Sequence, residues 1–160
     1  MLNRMSWGPI LWSILHTSAE HLGKARPALL QTDETNRWMF LLKTVGKVMP
    51  CNLCRKHYAE WLKKSPISQF TKLRGLDLRD RARKWLYDLH ENVNVSRGVV
   101  SGITLEDLSS MYMSLAKYQA NIEQFSELTR DNVQHGLLKM EDTQQFRIHL
   151  QYLRKITDTA

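Results

Sequence analysis

Apolar residues recur every three or four positions along most of the chain, which is the spacing of a helix with one buried face. The first such run follows Pro9 and ends at Gly23, because proline suits the first turn of a helix and glycine commonly lies just beyond the last. A second run begins near Asp33 and ends before Pro50, since the residue before a proline avoids helical geometry. The proline-containing segment between the two runs, residues 24–32, is predicted to be a loop.

Two more helices are predicted before residue 100, from about Cys51 to Lys63 and from about Asp77 to Val93. Pro66 closes the first of these. No segment alternates apolar and polar residues in the manner of a strand, so the pattern predicts an all-α fold with a core of four helices. The apolar stripes of the four helices are Leu11, Trp12, Leu15, Ala19 and Leu22; Trp38, Leu41, Leu42, Val45 and Met49; Cys51, Cys54, Tyr58 and Trp61; and Leu78, Ala82, Trp85, Leu89 and Val93.

A C-terminal helical extension is predicted beyond the segment Gly98–Gly102, which places the domain boundary between residues 1–100 and 101–160. Thr104 to Asp107 is typical of an N-cap with an acidic first turn, and one long helix is expected to follow it. A further helix spans about Glu141 to Ile156. The stripe of the long helix needs a buried surface, either in a dimer or on its own bundle. It comprises Leu105, Leu108, Tyr112, Leu115 and Ile122.

Composition and charge narrow the class of protein. The chain has 160 residues, of which 42% are hydrophobic and 24% charged, as in an ordinary soluble globular protein. No stretch is apolar enough to cross a membrane, and no signal peptide is visible. The formal net charge is +7, but the basic residues are scattered in the manner of a solvated face, so binding to nucleic acid or to a membrane is not expected.

The chain contains only two cysteines, Cys51 and Cys54, and they form a single C-x-x-C motif. This spacing at a helix end brings the two sulfur atoms close enough for a disulfide. A helix N-terminus stabilises a thiolate, and so do the neighbouring cations Arg55 and Lys56. The motif therefore predicts a reactive redox pair rather than a buried structural one.

Three uses of such a pair are open. Half of a zinc site needs two more ligands, for which His57 and His90 are the candidates, but their spacing is unlike that of a zinc finger. The motif of a thioredoxin-like oxidoreductase needs flanking strands, whereas both flanks here are predicted to be helical. The redox disulfide of a flavoenzyme is the third use.

Two other segments concentrate side chains that suit a nucleotide. Trp12 and His16 are four residues apart and therefore project from one face of a helix. Trp85 to Asn94 combines aromatic, imidazole and amide side chains, which can stack on adenine or bind a ribose hydroxyl. Taken singly, a tryptophan stripe or a lone histidine is more often part of a hydrophobic core.

Taken in order, three motifs resemble the FAD-linked sulfhydryl oxidases of the Erv/ALR family. The motifs are Trp12–Thr17, Pro50–His57 and Trp85–Asn94, and the resemblance covers residues 7–99. It implies a four-helix bundle that holds FAD, with the redox disulfide against the flavin ring. By resemblance, Cys54 is the flavin-proximal thiolate and Cys51 is the sulfur that the substrate attacks.

The resemblance also implies which residues bind the cofactor, and it implies no metal. Arg97 is expected to contact a phosphate in place of the family's usual basic residues, and Glu91 stands where the family usually carries asparagine. The implied FAD-binding residues are Gly8, Trp12, His16, His21, Cys54, His57, Trp85, His90, Val93, Asn94 and Arg97.

The activity implied by the resemblance is thiol oxidation. Electrons would pass from a protein dithiol, or from a thioredoxin-like intermediary, through Cys51 and Cys54 to FAD and on to dioxygen, which yields hydrogen peroxide. A homodimer is also implied. The chain lacks a second disulfide and a shuttle cysteine pair, and in this it resembles the versions encoded by large cytoplasmic DNA viruses. A viral protein of this kind would act in the host cytoplasm or the virion. A non-viral one would belong in the mitochondrial intermembrane space. The alternative is a basic helical zinc-binding or assembly module without turnover.

Overall fold

A computed structural model describes residues 4–159, with side chains from Trp7 to Asp158, and this part of the chain is helical without a strand. The prediction of an all-α fold is confirmed. A short 3-10 helix, Ile67–Phe70, links the third and fourth α-helices. The α-helices are α1 (Arg4–Glu20), α2 (Ala28–Val48), α3 (Asn52–Lys64), α4 (Gly75–Ser96), α5 (Asp107–Tyr112), α6 (Tyr118–Gln134) and α7 (Met140–Thr159).

The core lies between α1, α2 and α4 and is built from the predicted apolar stripes. Trp38, Leu41 and Leu42 of α2 are fully buried, and burial of each such side chain is worth about 1.5–3 kcal/mol. Helix α3 joins this core through Tyr58, whose hydroxyl donates to the carbonyl oxygen of Leu42 at 2.6 Å. The bundle therefore holds the N-terminal end of α3, where the two cysteines lie, against the end of α2.

Three helices begin earlier than predicted. Helix α1 begins at Arg4, so Pro9 lies inside the helix rather than in its first turn. Helix α2 begins at Ala28 rather than near Asp33, so residues 28–32 are helical and the loop prediction was wrong there. Pro27, which marked the loop, is the N-cap residue with φ −61°, and proline at the entry to a helix is tolerated because the first amides have no partner within the helix. Helix α4 similarly begins at Gly75, ahead of Asp77.

Gly23 ends the turn after α1, as the sequence predicted. Its φ is +86°, in the left-handed region that favours glycine. A Cβ atom at this position would lie 2.6 Å from the carbonyl oxygen of Gly75. Glycine at position 23 therefore allows the backbone at the start of α4 to approach the end of α1.

The prediction of one long helix after Thr104 was wrong. The chain forms the short helix α5, a break at residues 113–117, and then α6. His21 Nε2 donates to the carbonyl oxygen of Met113 at 2.7 Å on one side of the break. On the other side, the hydroxyl groups of Ser18 and Tyr118 share a hydrogen bond of 2.6 Å. Polar groups of α1 and of the turn after it therefore hold the chain on both sides of the break, which the helical period along the sequence does not reveal.

The extension packs on the helices of the first 100 residues, with α6 against α1 and α7 against α2. Phe125 of α6 and Phe146 of α7 are buried, with ring centroids 5.5 Å apart. Leu108 is buried, and Leu115 and Ile122 pack on the core. The apolar stripe of the extension is thus buried against its own chain. The domain boundary between residues 100 and 101 stays a prediction.

An ion pair between the first hundred residues and the extension is almost completely buried. The Glu20 carboxylate is 2% exposed and lies 2.7 Å from Arg83 Nε. Arg83 also donates to the carbonyl oxygen of Leu105 and to Ser109 Oγ, both at 3.2 Å. The charge of Glu20 is therefore paired and hydrogen-bonded, which a buried charge requires.

None of the helices in the described part of the chain combines the length and apolar character that a transmembrane span needs.

Candidate active site

The two cysteines form a disulfide at the N-terminus of α3. Cys51 is the N-cap residue, and its sulfur accepts a hydrogen bond from the backbone amide of Cys54 at 3.1 Å. The two Cα atoms are 5.2 Å apart, and both residues are half-buried. A thiolate released from this disulfide would lie at the positive end of a helix dipole, which stabilises negative charge.

A cavity of about 510 Å³ opens beside the disulfide, between the N-terminal half of α1, the end of α2, α3 and the second half of α4. Cys54 lines it, which places one redox sulfur at its wall. The volume lies in the range of sites for cofactors and small ligands. Six of the residues implied to bind FAD line this cavity: Gly8, Trp12, Cys54, His57, Val93 and Arg97.

The walls of the cavity are mostly apolar, with charged groups among them. The apolar lining includes Leu11, Leu15 and Val45, whereas Lys56 and Arg97 contribute positive charge and Glu60 a single negative charge. A planar aromatic ring system suits the apolar part, and the two cations suit a diphosphate. The chemistry of the donor set therefore fits FAD.

His57 is oriented by a residue that the sequence analysis did not single out. Its Nε2 donates to Asn92 Oδ1 at 2.9 Å, which leaves Nδ1 without the proton in the neutral ring. Asn92 belongs to the third motif, one residue after Glu91, so its position in that motif was the only signal available from the sequence. The bond ties α3 to α4 beside the cavity.

Three predicted residues form an aromatic stack. The rings of Trp12 and His90 are parallel within 5°, with centroids 3.9 Å apart. His16 Nε2 lies 3.2 Å from His90 Nδ1 and shares a hydrogen bond with it. Of the three, Trp12 lines the cavity, and the two histidines lie behind it.

Burial sets the charge of both histidines in this stack. Removal from water, and to a smaller extent the nearby His90, lower the pKa of His16 to about 3. Burial also lowers the pKa of His90, against a smaller opposing effect of the Glu91 carboxylate. Both rings are therefore neutral near pH 7, as an apolar stack requires.

The extension contributes a ring to the same stack. Tyr112, in the last turn of α5, lies 4.7 Å from His16 between ring centroids, with an angle of 15° between the planes. The sequence analysis placed Tyr112 on an apolar stripe and gave it no part in the site. No signal in the sequence pairs it with His16, because the two residues belong to separate helices.

Besides His16 and His90, three more residues implied to bind FAD do not line the cavity. His21 donates to Met113, as described above, and its Nδ1 accepts from Lys24 Nζ at 2.9 Å. Trp85 is buried in the core, where its Nε1 donates to the carbonyl oxygen of Ser65 at 3.0 Å. Asn94 is buried near the end of α4, where its backbone carbonyl accepts from the amide of Val99 at 2.9 Å. In this structure each of the three has a structural partner.

The residues considered for zinc are not gathered into a metal site. Among the described residues, no group of three or more histidine, cysteine or acidic side chains is arranged to hold a metal ion. The Cys51 and Cys54 sulfur atoms are bonded to each other, and His57 and His90 have the separate partners given above.

Comparison with known proteins extends the resemblance seen in the motifs. Proteins named FAD-linked sulfhydryl oxidase from a Kenyan and a Malawian isolate of African swine fever virus are 29% and 28% identical to the chain over 90 residues. Each match covers 56% of this chain and 66% of the viral protein. A probable FAD-linked sulfhydryl oxidase of Acanthamoeba polyphaga mimivirus is 30% identical over 92 residues, which are 58% of this chain and 59% of that protein.

The chain thus spans less than two thirds of the length of these relatives. A comparison with solved structures found no significant match. The model of the Erv1/Alr family matches residues 9–103, the part that contains all three motifs, the disulfide and most of the residues that line the cavity. The match covers more than half of the chain, and the protein therefore belongs to the Erv1/Alr family.

Proposed function

We propose that this chain is an FAD-linked sulfhydryl oxidase that forms disulfides in protein thiol substrates. The observation that carries the proposal is the position of Cys54, which joins the redox disulfide to the wall of a cavity fit for FAD. Membership of the Erv1/Alr family and the names of the viral relatives support the same activity.

The cofactor would be held by the lining of the cavity. Trp12 and the apolar walls suit the flavin ring system, and Lys56 and Arg97 suit the diphosphate. When bound, FAD accepts two electrons from a dithiol and delivers them to dioxygen, which yields hydrogen peroxide. The protein's own residues bind the cofactor, exclude water and control the thiols.

The thiol chemistry assigns different roles to the two cysteines. A substrate thiolate attacks Cys51 Sγ, breaks the bond to Cys54, and leaves a mixed disulfide and a Cys54 thiolate. A second substrate thiolate then attacks the substrate sulfur of the mixed disulfide, which releases an oxidised substrate and a reduced Cys51. Two electrons have passed to the cysteine pair, and the two thiol protons go to solvent.

The structure offers a reason for this order of roles. Cys54 is among the residues that line the cavity, and Cys51 is not. Cys51 is therefore the better target for a thiol that arrives from outside, and Cys54 the better donor toward the cavity.

The test is FAD binding followed by oxygen uptake. The protein freed of cofactor is titrated with FAD, and quenching of flavin fluorescence is expected to saturate at one FAD per chain. Dithiothreitol should then drive oxygen consumption and accumulation of hydrogen peroxide. A folded protein that binds no FAD would overturn the proposal and favour the alternative, a basic helical binding or assembly module.

The proposal includes a protein dithiol or a thioredoxin-like intermediary as substrate, and a homodimer. The stripe first considered for dimerisation is covered by the chain itself, so a dimer would use another surface. Phe40, Ile148 and Tyr152 are large apolar side chains that remain exposed on α2 and α7. Light scattering should give twice the chain mass, and a Phe40→Glu variant should give a monomer; a native protein that is monomeric at all concentrations would contradict this part of the proposal.

A further inference from the structure

Arg55 connects the redox disulfide to the C-terminal extension. Its Nη1 donates to the carbonyl oxygen of Met49 at 3.1 Å and to that of Leu137 at 3.4 Å. Its Nη2 donates to Asn52 Oδ1. One guanidinium therefore fastens the chain just before Cys51, the residue just after it, and a residue that is 82 positions away in the sequence.

Leu137 belongs to the turn between α6 and α7, residues 135–139, which we call the α6–α7 turn. Backbone hydrogen bonds hold this turn: the amide of Leu137 donates to the carbonyl oxygen of Asn132 at 2.9 Å. Gly136 permits it with a φ of +74°. The side chain of Leu138 is buried beneath it, whereas that of Leu137 is 54% exposed.

Exposed apolar side chains occur in two segments that Arg55 connects, α3 and the extension. Leu53, between the two cysteines, is 65% exposed. Leu137 lies on the extension, and its carbonyl oxygen accepts a hydrogen bond from the Arg55 guanidinium. Met140, at the start of α7 just after the turn, is also largely exposed. Exposed apolar side chains gathered beside a reactive group indicate a contact surface rather than a solvated face.

We propose that Leu137 and the α6–α7 turn form a docking surface for the polypeptide that flanks the substrate cysteines, and that Arg55 positions this surface. The inference rests on the proposed function and specifies its substrate: a protein thiol pair with apolar residues next to the cysteines. A thiol that reaches Cys51 Sγ must bring its neighbouring residues over the surface around Cys51. Leu53 and Leu137 are the large apolar side chains that such a segment meets there.

This surface lies outside the part of the chain matched by the family model, residues 9–103. It would therefore give this chain a substrate preference that the family core alone does not carry. A small dithiol has no flanking residues and gains nothing from such a surface. The comparison between a peptide and a small dithiol thus separates docking from the chemistry at the disulfide.

The experiment uses the FAD-loaded full chain and three dithiol probes: a Cys-Gly-Gly-Cys peptide flanked by leucines, the same peptide flanked by serines, and dithiothreitol. The kcat/KM for the leucine peptide should exceed that for the serine peptide about tenfold, as expected from burial of one or two leucine side chains. In Leu137→Ser this ratio should fall to near one. Leu137→Gln, which keeps the length of the side chain, should give the same loss.

Leu76 supplies the matched control. It is 58% exposed at the start of α4 and does not line the cavity, so Leu76→Ser should keep the wild-type ratio. Arg55→Lys tests whether Arg55 positions the turn. Lysine keeps the charge but loses the planar guanidinium, which donates to the carbonyl oxygens of both Met49 and Leu137. If Arg55 acts through the turn, its effect on the peptide ratio should vanish in a Leu137→Ser background.

The outcomes are distinguishable. Equal kcat/KM for the two peptides in the wild type, with dithiothreitol still oxidised, would overturn the docking surface and leave the proposed function intact. Additive effects of Arg55→Lys and Leu137→Ser on the ratio would overturn the positioning role of Arg55. An FAD-loaded protein that oxidises none of the three probes would overturn the proposed function, and the docking surface with it.

Discussion

Two of the polar contacts between the extension and the rest of the chain differ in kind. Near α5 the contact is a buried ion pair, in which Arg83 bonds the enclosed carboxylate of Glu20 and two groups of the extension. Beside the disulfide the contact is a hydrogen bond from Arg55 to Leu137 that is open to solvent. The first region is closed and fully bonded, and the second lies at the surface.

Because one contact is buried and the other is exposed, we expect them to restrict the extension to different degrees. A buried charge that loses its partner is costly, so the contact near α5 should allow a single arrangement of the extension. A solvent-exposed hydrogen bond contributes about 1 kcal/mol or less to stability, so the turn beside the disulfide can adjust when a substrate arrives. The extension is thus expected to be anchored at one place and adaptable where it meets the chemistry.

The largest expected effect is on activity and lies in the disulfide region. Cys51→Ser and Cys54→Ser should each reduce dithiothreitol oxidation to the background rate, because neither variant can form the disulfide that accepts electrons. Stability should fall by only about 2 kcal/mol, since the disulfide closes a very short loop. Oxygen uptake and urea unfolding measure the two effects.

The two cysteine variants should also differ from each other. Cys51→Ser retains a thiolate at the wall of the cavity and should show a long-wavelength absorbance band with bound FAD, whereas Cys54→Ser should not. If the absorbance band appeared in Cys54→Ser and not in Cys51→Ser, the roles assigned to the two cysteines would be reversed.

Near α5 the effect should fall on stability. Arg83→Met leaves the Glu20 carboxylate buried without its partner and should cost about 3–5 kcal/mol in urea unfolding. Arg81→Met is the matched control, because Arg81 is exposed on the same helix, and its cost should stay within about 0.5 kcal/mol. Equal losses in the two variants would show that the buried ion pair does not anchor the extension.

Acid should weaken the region of α1 and α5 before it affects the disulfide. The pKa values of His16 and His90 are lowered in the folded state, so the unfolded state binds more protons below pH 6.5. Their contribution to stability is present above that pH and is lost as the pH falls toward about 3, the pKa of folded His16. Each histidine adds a slope of up to about 1.4 kcal/mol per pH unit.

His16→Phe should therefore flatten the pH dependence of urea unfolding between pH 6.5 and 5 relative to the wild type. A wild-type stability that rises on acidification through this window would contradict the neutral, buried state of the stack.

The smallest expected effect is a difference in FAD affinity between variants of Trp12, which lines the cavity, and of Tyr112, which does not. Trp12→Ala should weaken FAD binding more than Tyr112→Ala does, because Trp12 lines the cavity, whereas Tyr112 does not line it and stacks on His16. Excess FAD should raise the Tm of Trp12→Ala toward that of the wild type, since a ligand that binds only the folded state stabilises it. A Tm that does not respond to FAD would mean that Trp12 is a core residue.

Much of the fold was predictable because it depends on neighbours in the sequence. The apolar period predicted α1 and α7, and Pro50 correctly ended α2. The C-x-x-C motif at the start of a helix predicted a disulfide, since both cysteines belong to one helical turn. The errors arose where distant groups acted: the break at residues 113–117 depends on bonds from Ser18 of α1 and from His21, just after α1.

By itself, the sequence determined the helical class, the redox pair and the family, because the helical period and the three motifs are local patterns. Only the tertiary structure decided which side chains reach the cavity. It placed Trp85 in the core, joined Asn92 to His57, and brought Tyr112 onto His16. The physical reason is that a helix determines which residues share a face, whereas the packing of distant helices determines what that face meets.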